Sequence, residues 1–177
     1  MEPLKKIRLR EPLITFFVVF LLIIWAINAV NTGNWLWFSP IQPTYQPSRI
    51  VVRNYGQTEN LQPGMDGYNE LAQAANDAFS AGFSNTDLIN IGLSEETLRR
   101  YHEEELVVEF NYAEDISYNS PIRMINVRQL LNPIDATHGG RGYVFLGSSG
   151  EWRAGALVLE NEQPLLDALT ALGYLQE

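Results

Sequence analysis

The most unusual short string in this chain is residues 137–142, in which a threonine is followed by a histidine, two glycines, an arginine and a third glycine. Glycines let the backbone turn and leave N–H groups exposed, and a guanidinium pairs well with carboxylates and phosphates. The candidate residues for binding an anion or a partner's carboxylate are His138, Gly139, Gly140, Arg141 and Gly142. The alternative is a flexible loop that enters a β-hairpin. The sequence favours this alternative, because a strand pattern follows where a phosphate loop needs a helix.

The other chemically active residues lack the spacing that catalysis requires. His102 precedes three glutamates, but the helical zinc motif needs a second histidine four residues later, where this chain has a leucine. Ser148 and Ser149 lie between two glycines, yet a nucleophile elbow places one serine two residues from each glycine. The sequence therefore predicts no catalytic residue, no metal site and no cofactor. A hydrolase would require His102 or His138 to meet a carboxylate or a serine through the fold.

An uncharged run of eighteen residues, Leu13–Val30, indicates where this chain is placed. At about 1.5 Å per residue, a helix of that length spans roughly 27 Å, close to the bilayer's apolar core of about 30 Å. We predict a transmembrane helix over residues 12–31. The alternative is a cleaved signal peptide, but its apolar region is usually shorter and ends at a small-x-small site. The pattern favours an uncleaved signal anchor.

The charges beside this run predict its orientation. Four basic residues lie within the first ten positions, and the next one is Arg49. The positive-inside rule then keeps residues 1–11 in the cytoplasm and places the C-terminal part outside the cell membrane. Trp35, Trp37 and Phe38 are expected at the outer headgroup level.

Three small residues at the outer end of the run lie three and four positions apart, and they are Ala26, Ala29 and Gly33. Small residues at this spacing let the backbone of a neighbouring helix approach closely. They therefore form a candidate face for a partner helix in the membrane.

The part of the chain after the apolar run is acidic. It carries eight arginines and nineteen acidic residues, a net charge of −11. Such a charge opposes binding to nucleic acid or to an anionic lipid surface. The chain has no cysteine, so disulfides and thiolate metal sites are excluded and its core alone must stabilise the domain.

A linker and one domain are predicted after the membrane segment. Three prolines make residues 32–48 an extended, semi-rigid spacer. Residues 49–177 mix strand and helix patterns without regular alternation, which predicts an α+β domain with a mainly antiparallel sheet and about three helices. We predict strands over residues 49–55, 106–112, 122–127, 143–146 and 152–160, and helices over residues 67–81, 94–104 and 164–172.

Details of these elements can be checked against the structure. Asp66 and Ser94 are predicted to cap the first two helices of the domain. Residues 56–67 are polar and are predicted to form turns. Leu106–Tyr112 alternates apolar and polar residues, which predicts a strand that is buried on one face only.

Three functions stay open at this level. The favoured one is a single-pass membrane protein whose extracytoplasmic domain binds or scaffolds other proteins, as an accessory subunit of a membrane complex. The second is a sensor domain that binds a ligand or peptide through residues 137–142. The third is a membrane-tethered hydrolase. The first is favoured because the chain combines an anchor, a spacer and a domain without a coherent active site.

Overall fold

The computed structural model describes residues 10–33, 35 and 43–175, and these form four α-helices and one six-stranded antiparallel sheet. This confirms the predicted α+β class. The helices are α1 (Arg10–Thr32), α2 (Tyr68–Ala81), α3 (Glu95–Glu103) and α4 (Gln163–Ala171). The strands are β1 (Arg49–Asn54), β2 (Gln57–Leu61), β3 (Leu106–Asn111), β4 (Gln129–Asp135), β5 (Tyr143–Ser148) and β6 (Glu151–Val158). The chain divides into two compact units, residues 1–39 and 40–177.

The first unit is built on α1, which is long and apolar enough to cross a membrane. Asn28, a polar residue in its apolar run, donates from its side chain to the Ile24 carbonyl at 2.9 Å. The carbonyl of Trp35, which follows the helix, accepts a hydrogen bond from the indole N–H of Trp25 at 3.1 Å. The chain thus turns back on the last turns of α1.

Several sequence predictions fall on residues outside the described part of the chain. These are most of the basic N-terminus, two of the three aromatic residues expected at the headgroup level, Trp37 and Phe38, and residues 34 and 36–42 of the predicted linker.

The second unit is a sheet in the order β2-β1-β3-β4-β5-β6, with helices on both faces. α2 and α4 pack together on one face, where they cover Ile50 and Phe110. α3 lies on the opposite face, where Tyr101 packs with Val107 and Phe145. All six residues of β3 are buried, so the prediction of a half-buried strand is wrong. The strand lies within the sheet and both of its faces are covered.

Two tight hairpins join the outer strands to their neighbours. Tyr55 and Gly56 connect β1 to β2 with φ angles of 49° and 86°, and Ser149 and Gly150 connect β5 to β6 with 55° and 84°. Two residues with positive φ define a type I′ turn. The second hairpin confirms the predicted turn. The first was not predicted, because the polar residues of β2 resemble a loop.

The fourth strand also departs from the prediction. Residues 122–127 form no strand, and β4 lies at Gln129–Asp135 although it contains Pro133. A proline has no N–H and is disfavoured inside a sheet. Here the register between β3 and β4 shifts at Leu106 and Val107, so that Ile134 is an extra residue beside the proline. A bulge of this kind accommodates the missing donor.

The helix ends follow local chemistry with one exception. The Ser94 side chain accepts the N–H of Thr97 at 3.1 Å and caps α3 as predicted. The prediction of Asp66 as the cap of α2 is wrong, because Gly67 occupies that position with no side-chain cap. A side chain at Gly67 would come within 3.2 Å of Leu172, just after α4. The close approach of α2 and α4 therefore favours glycine here.

The last residues of the predicted linker are bound to the domain. The Tyr45 N–H donates to Asn76 on α2 at 2.9 Å, and the Ser48 N–H donates to the Asn111 carbonyl at 2.7 Å. The Tyr45 ring lies 4.9 Å from the ring of Tyr118 in an edge-on arrangement. We call residues 45–48 the clamp segment.

Candidate functional site

The loop over residues 137–142 is held by side chains from α3 and the turn that follows it. The hydroxyl of Tyr101 donates to the Thr137 carbonyl at 2.7 Å and lies 3.1 Å from Nδ1 of His138. Glu105 accepts both the N–H and the hydroxyl of Thr137, at 2.8 and 2.7 Å. Burial, with the nearby Glu105 charge as a smaller cause, raises the pKa of Tyr101. His138 is therefore part of a fixed structural contact.

The three glycines of this loop have backbone reasons to be glycine. A side chain at Gly139 would come within 2.4 Å of the Ile134 carbonyl oxygen, while Gly140 and Gly142 adopt φ angles of 67° and 63°. Arg141 is exposed, and its guanidinium donates to the Tyr143 hydroxyl at 3.5 Å. The anion or partner site predicted at His138–Gly142 is not tested by this geometry and stays a prediction.

A buried polar network lies on the α3 face of the sheet. Arg53 donates to Glu109 at 3.0 Å, and the exposed fractions of the two side chains are 13% and 8%. Arg53 also donates from Nε to Nδ1 of His102 at 3.1 Å. Partial burial, together with the Arg53 charge, lowers the pKa of His102. One guanidinium thus joins β1, β3 and α3.

The same network continues across the sheet through Gln129 of β4. Its side-chain amide donates to Glu109 at 3.2 Å and to Asn111 at 2.8 Å, and its oxygen accepts the Gly150 N–H at 2.6 Å. The side-chain nitrogen of Asn111 is buried without a hydrogen-bond partner in the structure. The network ties three strands, α3 and one hairpin turn together, which is a structural role.

The hydrolase hypothesis needs a histidine beside an acid or a serine. In the described residues, His102 bonds to Arg53 and His138 lies against Tyr101, so neither hydrogen-bonds to a carboxylate or a serine. The same part of the chain contains no group of three residues able to hold a metal ion. Ser149 occupies the turn of the β5–β6 hairpin. The described geometry therefore gives the hydrolase hypothesis no support.

The three small residues of α1 differ in exposure. Ala29 is 1% exposed, Ala26 is half-buried and Gly33 is exposed with a φ angle of 70°. Trp25, one helical turn before Ala29, carries the ring of Trp35 at 5.4 Å. The partner-helix face stays a prediction.

Sequence reasoning missed a difference between the two edges of the sheet. The β6 edge is closed by residues 84–91, since Ile89 and Ala156 exchange backbone hydrogen bonds at 2.9 and 3.1 Å. Gly155 donates to the Ile91 carbonyl at 2.7 Å, and Val158 donates to the Asn85 side chain at 2.8 Å. The outer edge of β6 is therefore already paired over residues 155–158, and a partner strand has no access there.

The β2 edge is open in the described part of the chain. Four of its five residues are exposed, and β1 is its only strand neighbour. Hydrogen-bonded pairs alternate along an antiparallel ladder from the pair that closes the hairpin, Asn54 with Gln57. This alternation directs the backbone N–H and C=O groups of Thr58 and Asn60 outward. They offer the pairing groups that an added strand uses.

A cleft beside this hairpin was also missed. It has a volume of about 440 Å³, and its lining residues are Asn54, Tyr55, Asp135, Gly173, Tyr174 and Leu175. Its members come from three separate parts of the chain. The sequence contains one local indication of it, a tyrosine where two-residue turns usually carry asparagine or glycine.

Comparison with protein-family models, curated proteins and solved structures finds no match for this chain. Two features of the described residues are candidate binding surfaces, the open β2 edge and the cleft next to it.

Replacing Glu109 with alanine tests the buried network. The change leaves the Arg53 charge buried without its carboxylate, so we expect a loss of about 3–5 kcal/mol in the free energy of unfolding. Urea denaturation of the full chain in mild detergent measures it. Glu96→Ala is the control, because Glu96 pairs with Arg99 on the surface at 2.7 Å and its loss should leave the midpoint unchanged. Equal effects of the two changes would contradict a buried structural network.

Replacing Arg141 with alanine tests the predicted anion loop. If the loop is a sensor site, inorganic phosphate or a glutamate peptide raises the melting temperature of the wild type but not of Arg141→Ala. The unliganded variant should melt with the wild type, since Arg141 is exposed. A wild type that responds to neither probe removes the sensor hypothesis.

Proposed function

We propose that this chain is a single-pass membrane protein whose extracytoplasmic domain binds a partner protein, as an accessory subunit of a membrane complex. The observation that carries the proposal is the sheet with one closed edge and one open edge. The domain binds by accepting an extended segment of its partner as a new strand beside β2.

The membrane anchor is supported by the composition and exposure of α1. Only 6% of the residues in its apolar stretch are buried in the structure, and its large apolar side chains are exposed, among them Leu13, Phe16 and Ile23. Such a surface is costly in water and favourable in lipid. The four basic residues before it, with no other basic residue until Arg49, support an orientation with the N-terminus in the cytoplasm.

The open edge supports strand addition because two features that usually protect an exposed edge, a proline and a bulge, are absent from the described residues of β2. β2 contains no proline and no bulge, and the charge it carries, Glu59, leaves the outward backbone groups uncovered. Prolines, bulges and charged side chains are the usual means by which proteins prevent pairing at an exposed edge. The contrast with β6, whose outer edge is paired over residues 155–158, supports the choice of β2 as the edge that binds the partner.

The anchor and its orientation are tested together on the protein isolated from membranes. We expect an intact mass that corresponds to the full 20.1 kDa chain. Protease added to right-side-out vesicles should remove the domain. A mature protein that begins near Val30 contradicts the anchor, and a domain protected in such vesicles contradicts the orientation.

Strand addition is tested by removing one outward N–H. Thr58→Pro deletes an N–H that points away from β1, so the ladder to β1 keeps its hydrogen bonds. A photo-cross-linking residue at Asn60 reports the partner in native membranes. We expect Thr58→Pro to lower this cross-link about tenfold, because the added strand loses one hydrogen bond and no longer fits closely beside β2.

The control for this experiment is Thr58→Ala, which loses the same side chain but keeps the N–H. It should retain the cross-link. A cross-linking residue at Asn161, exposed and distant in sequence from β2, should capture no partner. Equal cross-links from Thr58→Pro and Thr58→Ala contradict pairing at this edge.

A further inference from the structure

The cleft beside the β1–β2 hairpin is lined by hydrogen-bond acceptors and two tyrosine side chains. Asp135 at the end of β4 and Tyr55 at the hairpin tip form one wall, and the Tyr55 hydroxyl donates to the Asp135 carboxylate. Tyr174, just after α4, is a further lining residue, and its hydroxyl donates to Glu59 of β2. The volume of about 440 Å³ lies within the range of sites that bind small groups.

Tyr55 is an unusual residue for the place it occupies. Its φ angle is 49° in a type I′ turn, where asparagine or glycine adopts positive φ at low cost and a bulky side chain does not. Its side chain is 52% exposed, so core packing does not account for the choice. Strained residues held in such conformations concentrate at functional sites. Tyr55 thus lines the cleft although its backbone conformation in the turn is unfavourable for a tyrosine.

The charge around the cleft has one sign. None of the described residues that line it is basic, whereas Asp135 is a lining residue and Glu59 is joined to the cleft through Tyr174. Arg53 precedes Asn54 in sequence but is bound to Glu109 and His102 on the opposite face. The hydrogen bond from Tyr55 to Asp135 raises the pKa of the tyrosine, which keeps its proton at neutral pH. The carboxylate therefore retains free lone pairs for a second donor.

We propose that this cleft binds the ammonium or guanidinium group of a lysine or arginine side chain from a partner polypeptide. The carboxylate of Asp135 pairs with the cation, and the exposed ring of Tyr55 offers it a π face. An anion is repelled by the same residues. The proposal rests on the proposed function in one respect, that the lysine or arginine belongs to a partner polypeptide. The contact between the cleft and the cation does not require strand pairing at β2.

The test measures binding of short blocked peptides to the full chain in mild detergent by NMR titration. The probes are N-acetyl-Gly-Arg-Gly-amide and N-acetyl-Gly-Lys-Gly-amide, and the matched neutral probe replaces arginine with citrulline. We expect the two basic peptides to shift the resonances of Tyr55 and Tyr174, and the citrulline peptide to bind at least about tenfold more weakly. Equal binding of arginine and citrulline peptides overturns the proposal, as does a response to neither basic peptide.

Two variants locate the site. Tyr55→Asn suits the turn better and should melt no lower than the wild type, yet it should weaken binding of the arginine peptide several-fold. Asp135→Asn keeps the size of the side chain and should weaken binding about tenfold or more. Asp167→Asn removes an exposed charge elsewhere, on α4, and should leave binding unchanged. If Asp167→Asn weakens binding as much as Asp135→Asn, the peptides respond to net charge alone and the proposal fails.

The strand-addition variant separates this result from the proposed function. Thr58→Pro should bind the arginine peptide as the wild type does, because the cleft is intact. N-acetylagmatine serves as a free guanidinium with the same single charge as the blocked peptide; it should bind more weakly than the peptide if the backbone of a polypeptide contributes. N-acetylagmatine binding as tightly as the peptide, or more tightly, contradicts a polypeptide source.

Discussion

The charge of Glu109 must be neutralised inside a strand that is buried on both faces, and much of the domain is arranged around that requirement. Arg53 supplies the opposite charge and Gln129 a further donor, so β1, β3 and β4 are fixed relative to each other by polar contacts as well as by packing. A slip of one residue in either ladder would place Arg53 or Gln129 on the wrong face of the sheet. The network thus specifies the register in a domain that has no disulfide to do so.

The two ends of the same sheet differ in how far the chain itself covers them. Part of its β6 edge and its α3 face are covered by the chain itself. Residues 137–142, which the sequence offered as a candidate binding loop, make internal contacts to Tyr101 and Glu105. The surfaces left available are at the opposite end of the strand order, at β2 and the cleft beside Tyr55. Both lie on one hairpin, so a partner that pairs with β2 has the cleft within reach of its side chains.

How much could be predicted from the sequence depended on whether the signal was local. The apolar stripe of α2, the cap at Ser94 and the β5–β6 hairpin are short-range patterns, and they were predicted correctly. β2 was missed because an edge strand with polar residues on both faces lacks alternation. β4 was missed because Pro133 argues against a strand until the bulge is known. The cleft was invisible because Tyr55, Asp135 and Tyr174 are brought together only by the fold.

The clamp segment has a mechanical consequence. Any pull on the chain before residue 45 reaches the domain first through the bonds of Tyr45 to Asn76 and to the backbone of Ser117, and through the bond of Tyr68 to Pro47. These bonds anchor to α2 and to the segment between β3 and β4, so tension is shared before it loads β1. The hairpin that carries Tyr55 follows β1, so force applied before residue 45 is shared among these bonds before it reaches that hairpin.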